Sequence, residues 1–446
     1  MATFPQLALC LLSAGILAGC ASVKPQPHSP AHSATNFNAD SLADAGLKQF
    51  LERSLEHPLE TWPLESWDFP KLTLAALYFH PSLDAARSQW RAAEAHVVAA
   101  DGRAGMHSKS HSTLNLNAVS PDCIPDRRAE RSAAAERLAE AARRRAAADA
   151  WQVRARLRTN LLAYVAAQRR QELLRELEAI EVELARSTEQ RLTVGATPPV
   201  ELSLLRIQLA ETRLAFIEAL QKKMDFRERL ADSLGLPVKP LLQVEVTYDF
   251  SRTAGYGPEV RDLRRRALRN RSEVLLALAD HNAAEAALRV EVGKRHPNTL
   301  FDLGCWWDTD KIRWAVNLEP ELPAERNRGP IAKAEARRIK AAAQLLDLQT
   351  EVIDELDRRV AAYRATLEDM ADIEKLVAAI RRQHDAVAAR FGRGAALRLE
   401  LLLARLQLVP AELAQLDAQE RLQQALGSLE DAVQQPAEVF GSLAVQ

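Results

Sequence analysis

One turn-and-helix module occurs twice in this chain. Residues 191–209 read RLTVGATPPVELSLLRIQL, and residues 390–408, which lie 199 positions later, read RFGRGAALRLELLLARLQL. Apart from leucines, the identical pairs are Arg191 with Arg390, Gly195 with Gly394, Ala196 with Ala395, Glu201 with Glu400, Arg206 with Arg405 and Gln208 with Gln407. Residues 92–95 likewise recur as residues 283–286. The chain is therefore built from two tandem halves of about 190 to 200 residues, a period too long for an ordinary solenoid repeat.

Long helices are predicted in both halves. Only 5% of the residues are aromatic, and Ala, Leu, Arg and Glu dominate, which favours long helices over compact cores. No Pro or Gly interrupts the pattern from Arg127 to Leu192, which at 1.5 Å per residue gives a helix of roughly 100 Å. The second half repeats this from Ala332 to Phe391. Helices this long need partners along their whole length.

Each long helix is predicted to form a hairpin with a returning helix. A turn containing Gly or Pro follows it, at residues 194–199 in the first half and 392–394 in the second. The returning helices are expected to end at Leu234-Gly235 and at Leu426-Gly427, which makes the second one shorter by seven residues. Seven residues are one heptad, a change that keeps an apolar stripe facing the same neighbour.

A strand hairpin is predicted near residues 299–321. Apolar and more polar residues alternate in 301–308 and again in 312–319, with a turn between them. Such strands can present an apolar face to lipid and a polar face to a water-filled lumen, and Trp306, Trp307 and Trp314 would form an interfacial aromatic belt. The alternative is an amphipathic hairpin that packs on a soluble core.

The equivalent region of the first half, near residues 107–125, is shorter. Only Thr113 to Val119 shows a clear strand pattern, whereas a membrane-crossing strand needs about 9 to 11 residues. We therefore expect a smaller strand contribution from the first half.

The first twenty residues resemble a bacterial lipoprotein signal. An apolar run from Leu7 to Leu17, too short to span a bilayer, leads into Leu17-Ala18-Gly19-Cys20. Cleavage would leave Cys20 as a lipidated first residue. The absence of Lys and Arg before Leu7 departs from most export signals. No run of 18 or more apolar residues follows, so any membrane crossing is expected to be made by strands.

These patterns divide the chain into six segments. They are a signal peptide at 1–19, a linker at 20–70, a first repeat at 71–235, a connecting equatorial segment at 236–262, a second repeat at 263–434 and a tail at 435–446. The first helix of the first repeat is expected to run from Lys71 to Ala100.

Composition and motifs argue against several functions. The 59 basic and 60 acidic residues nearly balance, so no field of the whole protein attracts nucleic acid. The histidine pairs with a helical metal-ligand spacing are His28 with His32 and His107 with His111. Neither pair has a third ligand nearby, and no serine elbow, zinc-protease helix or phosphate loop is present. We expect no catalytic residue, no metal site and no cofactor. Whether Cys123 and Cys305 form a disulfide is an open question.

The chain as a whole resembles the TolC-like outer-membrane efflux proteins. The lipoprotein signal, the tandem halves, the two long hairpins and the strand hairpin together carry this resemblance. Local matches are the junction from Leu322-Pro323 through Asn327 to Ala332 and the turn Val194-Gly195-Ala196. The stretch from Trp62-Pro63 to His80-Pro81 further resembles the subgroup that serves heavy-metal exporters.

The resemblance implies a mainly α fold. Two tandem repeats of long helical hairpins would form a periplasmic α-barrel in a homotrimer, with a small β-strand contribution to an outer-membrane β-barrel. It also implies a lipid-anchored protein of the outer membrane that extends into the periplasm. The implied partners are a periplasmic adaptor protein and an inner-membrane RND-type pump.

The resemblance also assigns roles to the two hairpin tips. Adaptor docking is expected at Val194, Gly195, Ala196, Arg393, Gly394 and Ala395. Six positions after each tip glycine, Glu201 and Glu400 match the acidic residue that lines the constricted entrance in the family, and a carboxylate ring there would favour cations. A second interpretation, compatible with the first, is that both carboxylates cap or charge the first turn of their helices.

The sequence therefore predicts a passive export duct. It would be the outer-membrane component of a tripartite efflux system for metal cations or small toxic compounds. The alternative is a periplasmic adaptor or scaffold lipoprotein that binds partners through its hairpins without forming a pore. An adaptor would have one helical hairpin between β-rich halves, so two hairpins favour the duct.

Overall fold

Helices make up most of the chain in the computed structural model, which describes residues 41–56, 58–102, 127–251, 260–293, 299–308, 311–320 and 328–435. The helices are α1 (Ala45–Leu55), α2 (Phe69–Phe79), α3 (Pro81–Gly102), α4 (Arg127–Thr193), α5 (Pro199–Leu234), α6 (Val260–Asn270), α7 (Ser272–Gly293), α8 (Arg328–Gly392) and α9 (Arg398–Val433). The strands are β1 (Ser66–Trp67), β2 (Glu245–Val246), β3 (Thr299–Asp308) and β4 (Lys311–Pro320). All contacts below lie within the unit Leu42–Gln446.

The two halves match helix by helix. α2 and α6 each have 11 residues, α3 and α7 each have 22, and α5 and α9 each have 36. α4 has 67 residues and α8 has 65. The duplication visible in the repeated tips therefore extends through the helical part of both halves, and the mainly α fold is confirmed.

The two long helices begin and end close to their predicted positions. α4 and α8 run without a break through the segments that lack Pro and Gly. Among the described helices, none is both long enough and apolar enough to cross a bilayer. At 67 and 65 residues, α4 and α8 depend on neighbouring helices for their stability.

The order of the helices across the layer follows from their contacts. α4 packs against α3 and α5 and also against α7 and α9, while α8 packs against α7 and α9. Toward the helical turns the order is α5, α4, α9, α8, and toward the strand hairpin it is α3, α4, α7, α8. α5 and α8 are therefore the outer helices of the layer.

The strand hairpin of the second half is formed by β3 and β4. The strands pair antiparallel, with Thr299 opposite Pro320 and Asp308 opposite Lys311. Each strand has 10 residues, a length within the range of about 9 to 11 for a membrane-crossing strand. The strand predicted near residues 107–125 lies outside the described residues.

Part of the expected linker is folded onto the first half. Leu47 and Leu51 of α1 and Trp67 of β1 are fully buried, and β1 pairs in parallel with β2. These side chains share one core with Leu72 of α2 and Leu157 of α4. This stretch differs from a surface linker because apolar residues four apart give α1 an apolar face.

A break at His80 divides the first helix of the repeat. The sequence pattern predicted one helix from Lys71 to Ala100, but α2 ends at Phe79 and α3 begins at Pro81. The structure corrects this prediction, since a residue before proline is driven out of the helical region, and His80 has a ψ of 118°.

The two returning helices are equal in length, so the prediction that the second is shorter by one heptad is wrong. α5 ends at Leu234, and Gly235 follows it with a φ of 73°. α9 instead continues through Gly427 to Val433, and Gln434 adopts the left-handed cap conformation with a φ of 51°. Gly427 is therefore inside a helix and does not end one.

Gly427 makes room for a buried arginine. A Cβ atom on Gly427 would lie 2.3 Å from Nε of Arg158, which reaches across from α4. Nη1 of Arg158 donates to Oε2 of Glu430 at 3.4 Å and to Oδ1 of Asp431 at 3.1 Å. Nε1 of Trp151 donates to the same Asp431 oxygen at 3.1 Å. The side chains of Arg158 and Glu430 are only 6% and 2% exposed, and that of Asp431 is 29% exposed, so the two halves are joined by a cluster whose arginine is buried.

A second carboxylate lies fully buried within the first hairpin. Glu181 of α4 is 0% exposed, and within the described residues neither of its oxygens has a hydrogen-bond partner. Burial raises the pKa of Glu181, the hydroxyl of Thr212 on α5 opposes this, and the negative charges of Glu178 and Glu211 raise it further. The fold therefore favours the protonated side chain.

We expect Gly427→Ala to destabilise the protein by about 2 to 3 kcal/mol, because the new Cβ displaces Arg158 and leaves buried charges unpaired. The sign of this change in the free energy of unfolding is informative, since alanine is otherwise favoured over glycine in a helix by about 1 kcal/mol. Gly392→Ala is the matched control, because a Cβ there meets nothing within 4 Å. Urea denaturation followed by circular dichroism measures both variants. A more stable Gly427→Ala protein would contradict the packing role of this glycine.

The stability of the protein should fall as the pH rises through the raised pKa of Glu181. Because the folded pKa lies above the unfolded one, the contribution of the neutral form is complete below the ordinary glutamate pKa and is lost as the buried carboxyl ionises. Glu181→Gln should remove this part of the pH dependence and raise the melting temperature at alkaline pH. Thermal unfolding between about pH 5 and pH 9 tests this. Glu176→Gln, which is exposed on the same helix, is the control, and parallel profiles for wild type and Glu181→Gln would refute the expectation.

Candidate functional site at the hairpin tips

The two hairpins end in the same turn. Gly195 and Gly394 both have a φ of 70°, a conformation that glycine adopts without strain. In the first turn, the N–H of Ala196 donates to the carbonyl of Arg191 at 2.8 Å, and the N–H of Gly195 donates to that of Leu192 at 3.0 Å. In the second turn, Ala395 donates in the same way to Arg390 and Gly394 to Phe391, both at 2.9 Å. These bonds satisfy carbonyls that the end of a helix otherwise leaves open. A Cβ on either glycine meets nothing within 4 Å, so backbone conformation, and not crowding, requires glycine here.

The tips expose apolar side chains. All six residues predicted for docking are exposed, and Val194 is 77% exposed. Val200 and Leu397, beside the two turns, are 63% and 69% exposed. Such a group of exposed apolar residues is typical of a protein contact surface.

The carboxylate of Glu400 is held within its own hairpin. Its Oε1 accepts a hydrogen bond from the N–H of Leu397 at 3.3 Å, and its Oε2 lies 3.6 Å from Nη2 of Arg390. Arg390 also donates to the carbonyl of Ala395 at 3.2 Å. The capping contact considered from the sequence is therefore present at Glu400, and Arg390 balances its charge.

Glu201 is more open than its counterpart. It is exposed in the first turn of α5, where the helix dipole favours a negative charge. Two ion pairs between α4 and α5 support this hairpin: Arg206 lies 2.9 Å from Glu189, and Arg213 lies 2.8 Å from Glu178. The two acidic residues that match in sequence thus have different surroundings.

An ion pair between the hairpins was not apparent from the sequence. Nε of Arg398 on α9 donates to Oε1 of Glu183 on α4 at 2.5 Å. This hydrogen bond is the main cause that lowers the pKa of Glu183, and the charges of Arg405 and Arg186 lower it further. The first turn of α9 is therefore tied to the first hairpin close to both tips.

No group of three or more His, Cys, Asp or Glu side chains within the described ranges is arranged to hold a metal ion. Cys20, Cys123 and the two histidine pairs lie outside those ranges. Lipidation of Cys20 therefore stays a prediction, and whether Cys123 and Cys305 pair stays open.

Comparison with known proteins gives matches among solved structures. No family model matches the chain, and no curated protein matches it. The outer-membrane channel OprN is 18% identical, with a TM-score of 0.64 over 93% of this chain and 99% of that chain. The outer membrane protein VceC of Vibrio cholerae is 18% identical, with a TM-score of 0.62 over 82% of this chain and 95% of that one. CusC, described for its folding and transmembrane channel formation, is 16% identical, with a TM-score of 0.62 over 93% and 99%.

Two of these matches extend over 93% of the chain, and identities of 16% to 18% make the likeness one of fold. The heavy-metal subgroup stays a prediction. The chain has the fold of the TolC-like outer-membrane channels.

Proposed function

We propose that the protein is the outer-membrane channel of a tripartite efflux system. It would act as a passive duct for metal cations or small toxic compounds, which an inner-membrane RND-type pump and a periplasmic adaptor deliver. The observation that carries the proposal is that one chain combines two long helical hairpins with an antiparallel hairpin of two 10-residue strands. Strands of this length suit a bilayer, and helices near 100 Å suit a wide aqueous compartment.

In this proposal Cys20 carries the lipid anchor, and the tips lie at the far end of the duct from the strands. Val194 to Ala196 and Arg393 to Ala395 receive the adaptor, while Glu201 and Glu400 line the entrance. The exposed apolar side chains at both turns support a docking role for the tips.

Assembly into a homotrimer is supported by an apolar stripe on α5. The most exposed large apolar residues of this outer helix are Val200, Leu204, Ile207, Leu214, Ile217 and Met224, which are between 49% and 64% exposed. Several of them are seven residues apart, the spacing of a helix that pairs lengthwise with another helix. α5 therefore presents a face that needs a partner beyond its own chain.

The opposite edge of the layer offers such a partner. α8 exposes Ile339, Leu346 and Leu376, which are 59%, 66% and 55% exposed. Contact between α5 of one copy and α8 of the next joins two different surfaces, and repetition of such a contact closes a ring. The number of three copies in the ring is taken from the resemblance to the TolC-like proteins.

The substrate class can be tested in cells. A deletion strain should become more sensitive to the exported compounds, so growth in copper, zinc, cobalt and drugs separates metal cations from small organic compounds. Unchanged growth in every condition would count against an export role.

Substitution of the α5 stripe should prevent assembly. Leu204→Glu with Leu214→Glu places charges where a neighbouring helix must pack, so we expect loss of the trimer with the helical fold retained. Unboiled gel migration of the outer-membrane fraction and circular dichroism measure the two properties. Leu138→Glu, at an exposed position of the inner helix α4, is the control. Trimers in the double variant would exclude this interface.

Two substitutions of Glu400 separate its charge from its capping contact. If the carboxylate lines the entrance, Glu400→Ala and Glu400→Gln should both change ion conductance and weaken block by divalent cations in planar bilayers. If it only caps α9, glutamine should behave as wild type, because its amide oxygen still accepts the hydrogen bond from Leu397. Wild-type conductance in Glu400→Gln would therefore remove Glu400 from the entrance.

A further inference from the structure

A cavity lies between α7 and the first turns of α8. Its volume is about 480 Å³, within the range of about 300 to 1,000 Å³ that is usual for sites of small ligands. Ala284 and Ala287 of α7 and Ala334 of α8 line it, and their short side chains leave the space between the two helices open. Lys333 and Arg337 of α8 line the same cavity. The cavity therefore combines an apolar wall with two cationic side chains.

The two cations of the cavity are accessible to a ligand. Lys333 and Arg337 are both exposed, and within the described ranges of the chain neither side chain forms an ion pair. Glu291 of α7 also lines the cavity and has an interaction of its own, so positive charge exceeds negative charge there. Ammonium and guanidinium groups bind phosphate oxygens through charge-assisted hydrogen bonds. The chemistry of the cavity therefore suits a phosphate group joined to an apolar body.

The start of α8 is basic beyond the cavity as well. Residues 328–340 contain one acidic residue and five basic ones, which are Arg328, Lys333, Arg337, Arg338 and Lys340. The chain as a whole is balanced, with 59 basic and 60 acidic residues. A local excess of positive charge attracts anionic ligands and anionic surfaces. This segment therefore concentrates anions around the cavity.

The cavity lies near the ends of the two strands. α7 ends six residues before Thr299, where β3 begins, and α8 begins eight residues after Pro320, where β4 ends. Fully extended connections of these lengths reach at most about 22 Å and 29 Å. In the proposed function β3 and β4 cross the bilayer, so these ends of α7 and α8 lie beside its periplasmic surface.

The face of α8 that lines the cavity differs from the face proposed to contact a neighbouring copy. At about 100° per residue, Lys333 and Arg337 lie roughly 120° and 160° around the helix axis from Ile339. Ile339 is 59% exposed and belongs to the edge proposed for assembly. A copy packed against that edge would therefore leave the cavity open.

We propose that this cavity binds the headgroup of an anionic phospholipid from the periplasmic leaflet. This rests on the proposed function, which places the strands in the outer membrane. The lipid phosphate accepts hydrogen bonds from Lys333 and Arg337, and the alanines contact the glycerol and the first carbons of the acyl chains. Basic pockets beside membrane-spanning segments bind lipid headgroups by the same chemistry. A bound lipid would hold the ends of α7 and α8 at the bilayer surface.

Native mass spectrometry of the detergent-purified protein tests this proposal. The probes are dioleoyl-phosphatidylglycerol and dioleoyl-phosphatidylcholine, which share their acyl chains and differ in net charge. We expect about tenfold tighter binding of phosphatidylglycerol, and Lys333→Gln with Arg337→Gln should remove most of this preference. Ala287→Phe, at an exposed position, keeps both cations but fills the cavity, so it should weaken binding as well. Arg358→Gln with Arg364→Gln, at exposed positions further along α8, should bind as wild type.

Three results would overturn the proposal. Equal binding of the two lipids by the wild-type protein excludes the site, and so does an unchanged preference in the Lys333 and Arg337 double variant whose helical content is retained by circular dichroism. Displacement of the lipid by glycerophosphate at the same concentration would show that the cavity takes soluble phosphates.

Planar-bilayer recordings on the same preparations separate this proposal from the proposed function. A wild-type protein that conducts ions without any lipid preference rejects the lipid site alone. A wild-type protein that prefers phosphatidylglycerol, loses the preference in the double variant and conducts no ions rejects the duct and supports the lipid site.

Discussion

The helical layer depends on a buried ion cluster between α4 and α9. α4 belongs to the first half and α9 to the second, so the bonds from Arg158 to Glu430 and Asp431 fix one half against the other. Arg154 extends the cluster, since its Nη2 lies 3.7 Å from Glu430 and its guanidinium lies 4.9 Å from the ring centre of Phe69 in α2. A buried pair of this kind tolerates little displacement, because a shift leaves charges unpaired. The register set here also determines which residues of α4 and α9 meet near the tips.

The helices of the two halves match in length, but the ion pairs that hold the two long helices differ. The position that corresponds to Arg158 in the second half is Asp357, which accepts a hydrogen bond from Arg264 of α6 at 3.0 Å. Each half thus anchors its long helix through an arginine and a carboxylate, with the charges reversed on the long helix. The first anchor joins the two halves, whereas the second stays within its own half. This difference places the buried link between the two halves at the centre of the layer.

Features that depend on local pattern could be predicted, and features that depend on contact between distant segments could not. The absence of Pro and Gly predicted α4 and α8, the repeated residues around Gly195 and Gly394 made the tips recognisable, and alternation predicted β3 and β4. Gly427 was misinterpreted because glycine marks both helix ends and close approaches, and only the position of Arg158 distinguishes the two. The pair of Arg398 with Glu183 has no counterpart in the first half, where Pro199 occupies the repeated position, so the repeat carried no sign of it.

The equal length of the returning helices has a geometric consequence. Each has 36 residues, or about 54 Å at 1.5 Å per residue. Each is also fastened to α4 at its far end, Ser233 by a hydrogen bond from Asn160 at 2.5 Å and Asp431 by Arg158. α5 and α9 therefore begin at the same height along the layer and end at the same height. An insertion in one hairpin would extend its tip by about 1.5 Å per residue beyond the other tip. The two tips stay level only when both hairpins change length together.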